Sequence, residues 1–151
     1  MQKFFAIILV VLLTYSDAGA QNVRGGFINA GVKAAYAFDV GFSGGFEVSY
    51  AAWFNGATTL GGAMSLDFLE DGSSKFHIGL QGSALVGVEI GPTWYSAKGK
   101  PSEFTYSITV FAGAIILPMY SFTDLARKNL HELGVYIKYP IVAHGNPIDF
   151  H

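Results

Sequence analysis

The most constraining feature of the chain is a long alternation of apolar residues with small or polar ones, which begins near Phe27 and recurs along most of the sequence. The alternation lasts about 12 to 16 residues per segment, whereas an ordinary strand has about 5–6 residues. Successive side chains of a strand point to opposite faces, so each segment predicts a long strand with one apolar face. The sequence therefore predicts an all-β protein.

Six segments carry the alternation strongly enough to be predicted as strands, and turn signals lie between several of them. Asn55-Gly56 is a strong two-residue hairpin signal, because both positions tolerate positive φ. Gly91-Pro92 is expected to interrupt the alternation, so residues 93–97 and the two chain ends are candidates for one or two further strands. The six segments are 28–38, 42–54, 58–68, 76–90, 104–116 and 133–141.

The pattern changes after Pro118 and allows two interpretations. Thr123-Asp124 suits the cap of a short helix that carries apolar residues over 125–133 and stops at Gly134. An extended loop over 122–133 is equally compatible with the sequence.

The N-terminus has the three parts of a cleavable signal peptide. Lys3 supplies the positive charge, residues 4–13 are continuously apolar, and Ala18-Gly19-Ala20 forms a small-residue cleavage site. The apolar run is too short for a transmembrane helix, which needs about 20 residues, although a retained anchor is the alternative. Residues 1–20 are therefore predicted to be removed, so that the mature protein begins at Gln21.

Composition limits what the remaining domain, residues 21–151, can be. Half of the chain is hydrophobic (51%) and only 13% is charged, against roughly 25% in soluble domains. The formal net charge is −2 with no basic stripe, so nucleic acid is not an expected partner. Cys is absent, so no disulfide holds the exported domain together. These features predict a small antiparallel up-and-down β-barrel of about 6–8 strands.

Two kinds of barrel fit the alternation. A membrane barrel places its apolar face outward against lipid and its small and polar residues in the lumen. A secreted soluble barrel of the lipocalin type reverses the faces and carries an apolar ligand inside. The low charge favours the membrane barrel, which makes the lipid bilayer the expected partner and the outer membrane the expected location. The side chains then expected to point outward are those of Ile28, Val48, Leu66, Val86, Ile108 and Val110.

Three stretches resemble segments of small outer-membrane β-barrel proteins of Gram-negative bacteria, of the OmpA-like type. They are Gly87 to Tyr95 (GVEIGPTWY), Ser107 to Pro118 (SITVFAGAIILP) and His131 to Ile141 (HELGVYIKYPI). The resemblance implies an integral outer-membrane protein with a structural, adhesive or narrow-pore role, for which protein partners are unknown. Trp53 and Trp94-Tyr95 lie where an aromatic belt of such a barrel would fall, although ordinary core aromatics are as compatible.

Polar residues on the second face are the candidates for a site in the interior. Opposite charges inside a narrow barrel normally pair and plug it, because a lone buried charge is costly. A proton path, a gated pore or a ligand cleft is the functional alternative. The candidates are Lys33, Glu47, Asp67, Lys75, His77 and Glu89, with Glu103 and Lys138 near strand ends.

Enzyme chemistry has little support in the sequence. None of the four histidines, His77, His131, His144 and His151, lies in a His-x-Ser arrangement or at metal-ligand spacing to another His. No Gly-rich stretch opens a helix with the Lys and Ser/Thr of a phosphate-binding loop. We therefore expect no catalytic residue, no metal and no cofactor, while noting that a triad assembles in space rather than in sequence.

Overall fold

The structure is a computed structural model that describes residues 23–54, 58–113, 115–126 and 128–144. The predicted signal peptide over 1–20 and the predicted Asn55-Gly56 turn lie outside the described residues. All regular elements within these ranges are β-strands. The described residues contain no helix that is long and apolar enough to cross a membrane. The strands are β1 (Val23–Ala37), β2 (Gly41–Phe54), β3 (Thr58–Leu69), β4 (Ser74–Ser83), β5 (Val86–Ser96), β6 (Glu103–Ala112), β7 (Ile116–Thr123) and β8 (Leu130–His144).

The eight strands form one closed antiparallel barrel. Each strand pairs with the next along the chain, and β8 returns to pair with β1. Ala30 of β1, for example, lies opposite Val48 of β2 on one side and Tyr139 of β8 on the other. Closure leaves no unpaired strand edge. The predicted all-β, up-and-down barrel is confirmed, with the strand number at the upper limit of the expected range.

Side chains sort between the two faces of the barrel by residue number. From Asn29 to Thr123 every buried residue carries an odd number, whereas the buried residues of β8 carry even numbers. The residue numbers of partners paired across the first six hairpins differ by an even number, as those of Ala37 and Gly41 do. Odd-numbered residues therefore stay on the inner side of the barrel from β1 to β7. The exception is the last connection, where Thr123 pairs with Leu130. We call the buried set the inner face and the other set the outer face.

Two segments that we expected to be single strands are hairpins, so that part of the prediction is wrong. The segment 76–90 divides into β4 and β5, and the segment 104–116 divides into β6 and β7. Because paired residues such as Leu80 and Ile90 have the same parity, the apolar alternation continues through the turn without a break. At the second turn Gly113 takes a φ of +113°, a conformation that favours glycine.

The prediction that Gly91-Pro92 interrupts the strand is also wrong. Strand β5 continues through both residues and includes most of the candidate strand 93–97. Pro92 lies opposite Tyr106 in the ladder to β6, and the ladder to β4 omits Gly91 and Pro92. Proline has no N–H to donate, so a local gap on one side lets the strand tolerate it.

Of the two interpretations of 122–133, the extended loop is the observed one. The described residues between Thr123 and Leu130 form no helix, and β8 already begins at Leu130. Closing the barrel draws residues 130–133 into pairing with the end of β7, where Ser121 lies opposite Glu132. Too few residues then remain for a helix.

The barrel has two different ends. At the loop end the connections are residues 38–40, 70–73, 97–102 and 124–129. At the turn end they are residues 55–57, 84–85 and 113–115, and both ends of the barrel chain lie there, since Gly26 pairs with His144. The longer connections therefore collect at one end.

Candidate functional site

The structure places all six predicted interior residues on the inner face, and each is buried. Their exposed fractions are 4% for Lys33, 2% for Glu47, 1% for Asp67, 2% for Lys75, 3% for His77 and 1% for Glu89. Glu132 and Lys138 of β8 are buried beside them. Among the described residues the interior thus holds three lysines, four carboxylates and one histidine.

Four of these residues form a charged quartet that crosses the lumen: Lys33, Asp67, Lys75 and Glu132. Lys33 Nζ lies 2.7 Å from Asp67 Oδ2 and 2.9 Å from Glu132 Oε1. Lys75 Nζ lies 3.2 Å from Asp67 Oδ2 and also contacts Glu132 Oε2. Ser43 donates a further hydrogen bond to Glu132 Oε1. With two cations and two carboxylates the quartet is neutral, and it ties β1, β3, β4 and β8 together.

A second ion pair joins Lys138 of β8 to Glu47 of β2. Lys138 Nζ also donates to Gln81 Oε1 at 3.3 Å. The ammonium group lies 4.9 Å from the centre of the Phe111 ring and 4.7 Å from that of Tyr136, within cation–π range. This pair too is neutral, and its partners fill the lumen around it.

The third group is His77 of β4 with Glu89 of β5. His77 Nε2 lies 2.9 Å from Glu89 Oε1, and His77 Nδ1 lies 2.8 Å from Thr93 Oγ1. The hydroxyl of Thr93 continues to that of Ser107 at 2.8 Å, and Ser107 continues to Thr123 at 2.7 Å. A chain of hydrogen-bonding groups thus runs from the middle of the lumen towards the loop end.

Glycine on the inner face makes room for the charged side chains. A Cβ added at Gly79 would lie 2.6 Å from His77 Nε2 and 2.8 Å from Glu89 Cγ. A Cβ at Gly45 would overlap Asp67 Oδ1 in the same way. Small residues next to long charged ones let a narrow barrel close without overfilling its interior.

Sequence reasoning missed Glu132 because the segment 122–133 had a helix as one of its interpretations. Extending the alternation of β8 by one step would have found it, since Glu132 shares the parity of Lys138. Lys138, expected near a strand end, lies well inside β8. Glu103 does lie at a strand end, half-buried, and accepts a hydrogen bond from the Ala126 amide at 2.5 Å.

Apolar side chains lie at both ends of the charged lumen. At the loop end Ala37, Leu69 and Leu130 form a buried cluster, against which Val40, Tyr95 and Leu125 pack. At the turn end the rings of Phe27 and Trp53 are 5.2 Å apart. Trp53 shares the face of β2 that carries Glu47 and Ala51, so its expected place in an outer aromatic belt is wrong.

The outer face is apolar on every strand. Among the described strand positions from Ile28 to Ile141, none on the outer face is Lys, Arg, Asp or Glu. The residues predicted to point outward do so: Ile28, Val48, Leu66, Val86 and Val110 are exposed and Ile108 is half-buried. Aromatic residues, Trp94 among them as expected, concentrate near the loop end. They are Tyr36, Phe42, Phe68, Phe76, Trp94, Phe104 and Phe122.

No protein-family model and no curated protein matches the sequence. Among solved structures, the barrel is similar to a de novo designed transmembrane β-barrel, with a TM-score of 0.47, 9% identity, and coverage of 78% of this chain and 99% of the design. A second designed barrel, solved by NMR, has the same score and identity and is covered to 96%. The outer membrane protein Ail of Yersinia pestis, in a phospholipid bilayer nanodisc, has a TM-score of 0.40 and 14% identity, with coverage of 74% and 99%.

The loop end carries a cavity of about 440 Å³ above the apolar cluster, with Leu130 and Tyr95 among its walls. Its rim is charged, and Asp39 and Lys128 pair there at 2.8 Å. Their side chains are largely exposed, so the pair is weak.

The chemistry that the interior can perform is limited by access. Glu89, His77 and Thr93 have the order of an acid, a base and a hydroxyl, but the Thr93 side chain is 0% exposed. Within the described ranges no group of three or more His, Cys, Asp or Glu side chains is arranged to hold a metal ion. What the interior is built to do is to pair charges across the lumen.

Proposed function

We propose that this protein is an integral outer-membrane β-barrel whose outer face contacts lipid. The observation that carries the proposal is the inversion of the two faces, with apolar residues outside and paired charges inside. Exposing apolar surface to water costs about 25 cal/mol per Å², and soluble monomers rarely expose a continuous apolar band. In a bilayer the same surface is favourable, and a closed barrel has no unpaired strand edge there.

The dimensions of the barrel support this assignment. A bilayer-spanning strand needs about 9–11 residues when it is tilted. Seven of the eight strands have 10 to 15 residues, and β7 has 8. The aromatic residues near the loop end match an interfacial girdle, in which Trp94 packs against Phe76 and Phe104.

An outer-membrane location also accounts for the two different ends. Barrels of the Gram-negative outer membrane have short periplasmic turns and longer external loops. The proposal therefore places the turn end in the periplasm and the loop end outside. The export signal predicted for residues 1–20 and the resemblance to OmpA-like barrels agree with this location.

The proposed role is structural or adhesive, without enzyme activity and without a conducting pore. Three ionic groups occupy the lumen, and apolar side chains lie at both of its ends. Ions would have to break these pairs in order to pass. The alternative of a soluble carrier is not supported, because an apolar ligand in the interior would displace the same charges.

Fractionation tests the membrane assignment. Expressed at full length in a Gram-negative host, the protein should remain in the outer-membrane fraction after a carbonate wash. It should refold only in detergent or lipid, and the folded form should migrate differently on a gel from the boiled one. Recovery of a folded monomer without detergent would contradict the proposal, and the soluble-barrel alternative would replace it.

Single-channel recording tests the plugged lumen. The purified barrel in a planar bilayer should show no conductance steps, because the ion pairs fill the lumen. The variant in which Lys33, Lys75, Asp67 and Glu132 are all replaced by Ala is the matched control, and it should conduct. Steps of similar size from both proteins would show that the lumen is open in the native barrel.

A further inference from the structure

The two turns 84–85 and 113–115 are apolar, unlike the other connections that the structure describes. Their sequences are Ala-Leu and Gly-Ala-Ile, whereas each connection at the loop end contains at least one charged residue. Leu85 is 87% exposed and Ile115 is 54% exposed. Turns in contact with water are rich in Gly, Pro, Asn, Asp and Ser. The two turns therefore present apolar tips where polar side chains would suit water better.

Backbone groups of the two turns are paired within the barrel. The Gly113 amide donates to the Leu85 carbonyl at 3.1 Å, which links one turn to the other. The Lys138 amide of β8 donates to the Ile115 carbonyl at 2.9 Å. An unpaired backbone group is costly in hydrocarbon, so these bonds make both tips compatible with a lipid environment.

The stagger of the strands sets these turns back from the far rim of the turn end. Residues that lie directly opposite one another lead once around the barrel and return to β8 eleven residues further along. The path is Leu133, Tyr120, Val110, Val88, Gly82, Leu60, Ala52, Gly26 and His144. Because His144 lies at the turn end, the path approaches that end as it runs from β7 to β1. Each of the three turns begins two or three residues beyond it.

The β6–β7 turn is set back the most. The end of β2 at Phe54 lies half-way around the barrel from this turn, so about half of the stagger separates their heights. With about 3.3 Å per residue and a strand tilt of about 45°, the turn lies about 10 Å nearer the middle of the barrel than Phe54 does. The β4–β5 turn is set back by a smaller amount.

The strands that lead to the β6–β7 turn are short for a bilayer. Strand β7 has 8 residues and β6 has 10. At the same tilt they rise about 19 Å and about 23 Å, less than the apolar band of about 25 Å on a membrane barrel. Phe104 and Phe122 lie at their loop ends, where the aromatic residues mark one boundary of the band. The turn at the other end of both strands therefore does not project beyond the band.

We propose that the β4–β5 and β6–β7 turns are a lipid-binding surface, whose apolar tips contact acyl chains where these meet the headgroups of the leaflet at the turn end. The surface continues the outer face without a break, since Leu85 precedes the exposed Val86 and Ile115 precedes the exposed Ile116. The inference rests on the membrane assignment and adds to it two connections that would otherwise be placed in water.

Spin labels test the proposal, because the chain has no Cys of its own. Leu85→Cys and Ile115→Cys would each be labelled with a nitroxide and refolded in phosphatidylcholine vesicles. Collisions with oxygen, which enters lipid, should exceed those with a water-soluble nickel chelate, as at the control Val48→Cys on the outer face. The ratio of oxygen to nickel collisions should be several-fold higher than at Lys98→Cys in the loop 97–102.

The controls separate the two ways in which the proposal fails. Nickel-dominated collisions at 85 and 115, with oxygen-dominated ones at 48, would overturn the lipid-binding turns and leave the membrane assignment standing. Nickel-dominated collisions at 48 as well would overturn both. Spin–spin broadening between labels at 85 would show that a second copy of the chain covers the turns, which also overturns the proposal.

NMR of the native protein in lipid nanodiscs gives a readout that requires no variant to fold. The methyl groups of Leu85 and Ile115 should show nuclear Overhauser effects to acyl-chain methylene protons, as those of Val48 should. Effects to water alone at Leu85 and Ile115 would overturn the proposal. In isolated outer membranes, protection of the labelled positions from both oxygen and nickel would assign the surface to a protein partner instead of lipid.

Discussion

The inner and outer faces of the barrel are built from alternate residues of the same strands, yet they depend on different physics. On the outer face Val48, Leu66 and Val110 are exposed, and each contributes apolar area with no specific partner. On the inner face Glu132 has two lysines and a serine as named partners at fixed positions. The outer face acts through its summed area, whereas the inner face acts through individual contacts.

This difference predicts how each face responds to substitution. An apolar residue on the outer face can be exchanged for another of similar size, because apolar contacts are not directional. A charged residue on the inner face cannot, because its loss leaves a buried counter-charge without a partner. Substitutions that place a charge on the outer face, or that remove a charge or add bulk on the inner face, should therefore have the largest effects on stability.

The largest effect is expected for Glu132→Gln, which leaves Lys33 and Lys75 sharing only Asp67. Breaking a buried ion pair by removing one partner costs about 3–5 kcal/mol. The free energy of unfolding, measured with guanidinium in micelles, should fall by that amount. The matched control is Lys75→Met/Glu132→Gln, which keeps the quartet neutral and should recover most of the loss. Equal losses in both variants would mean that packing, not charge, holds the quartet.

The next effect is expected on the outer face for Val48→Arg, near the middle of β2. Arginine in contact with the bilayer midplane costs about 2–4 kcal/mol, but only about 0–1 kcal/mol near the interface. Val86 begins β5 beside the turn 84–85, so Val86→Arg is the matched control and should cost little. Unfolding measured in lipid vesicles checks both. Similar costs at the two positions would indicate that the outer face does not lie across a bilayer.

The smallest effect compares two glycines on neighbouring strands. Gly79→Ala adds a methyl group beside His77 and Glu89, and overpacking of this kind costs about 1–3 kcal/mol. Gly62→Ala adds the same group on the outer face, where the nearest atom would be 3.7 Å away, and should cost less than about 0.5 kcal/mol. Unfolding midpoints of the two variants check the difference. An equal loss at Gly62 would show that backbone freedom, rather than room for the charged pair, explains the inner glycine.

Several features of the protein follow from its sequence alone. The period of two predicts long strands, and the parity of each residue assigns Lys33, Glu47 and His77 to one face and Val48 to the other. Parity is robust because all six connections from β1 to β7 leave it unchanged. The all-β barrel and its apolar and polar faces could therefore be stated before the structure was known.

The same robustness hides where the chain reverses. A turn that preserves parity, as between Leu80 and Ile90, leaves the alternation unbroken, so β4 and β5 look like one strand in the sequence. Glu132 was assigned to no strand because the segment 122–133 also allowed a helix or a loop. The sequence also does not show how far along the barrel axis a residue lies. Val86 and Ile108 were both predicted to point outward, but only the structure shows that Val86 lies beside a turn.

Only the tertiary structure decides which charges meet. Lys33 and Glu132 are far apart in the chain, and closure of β8 against β1 brings their side chains within 2.9 Å. The charges of the interior meet as one quartet and two pairs, a grouping that no count of charged residues contains. Alternation determines the face of a side chain because it is a local property of the strand. Pairing depends on how the strands are staggered around the barrel, and that is settled only when the sheet closes.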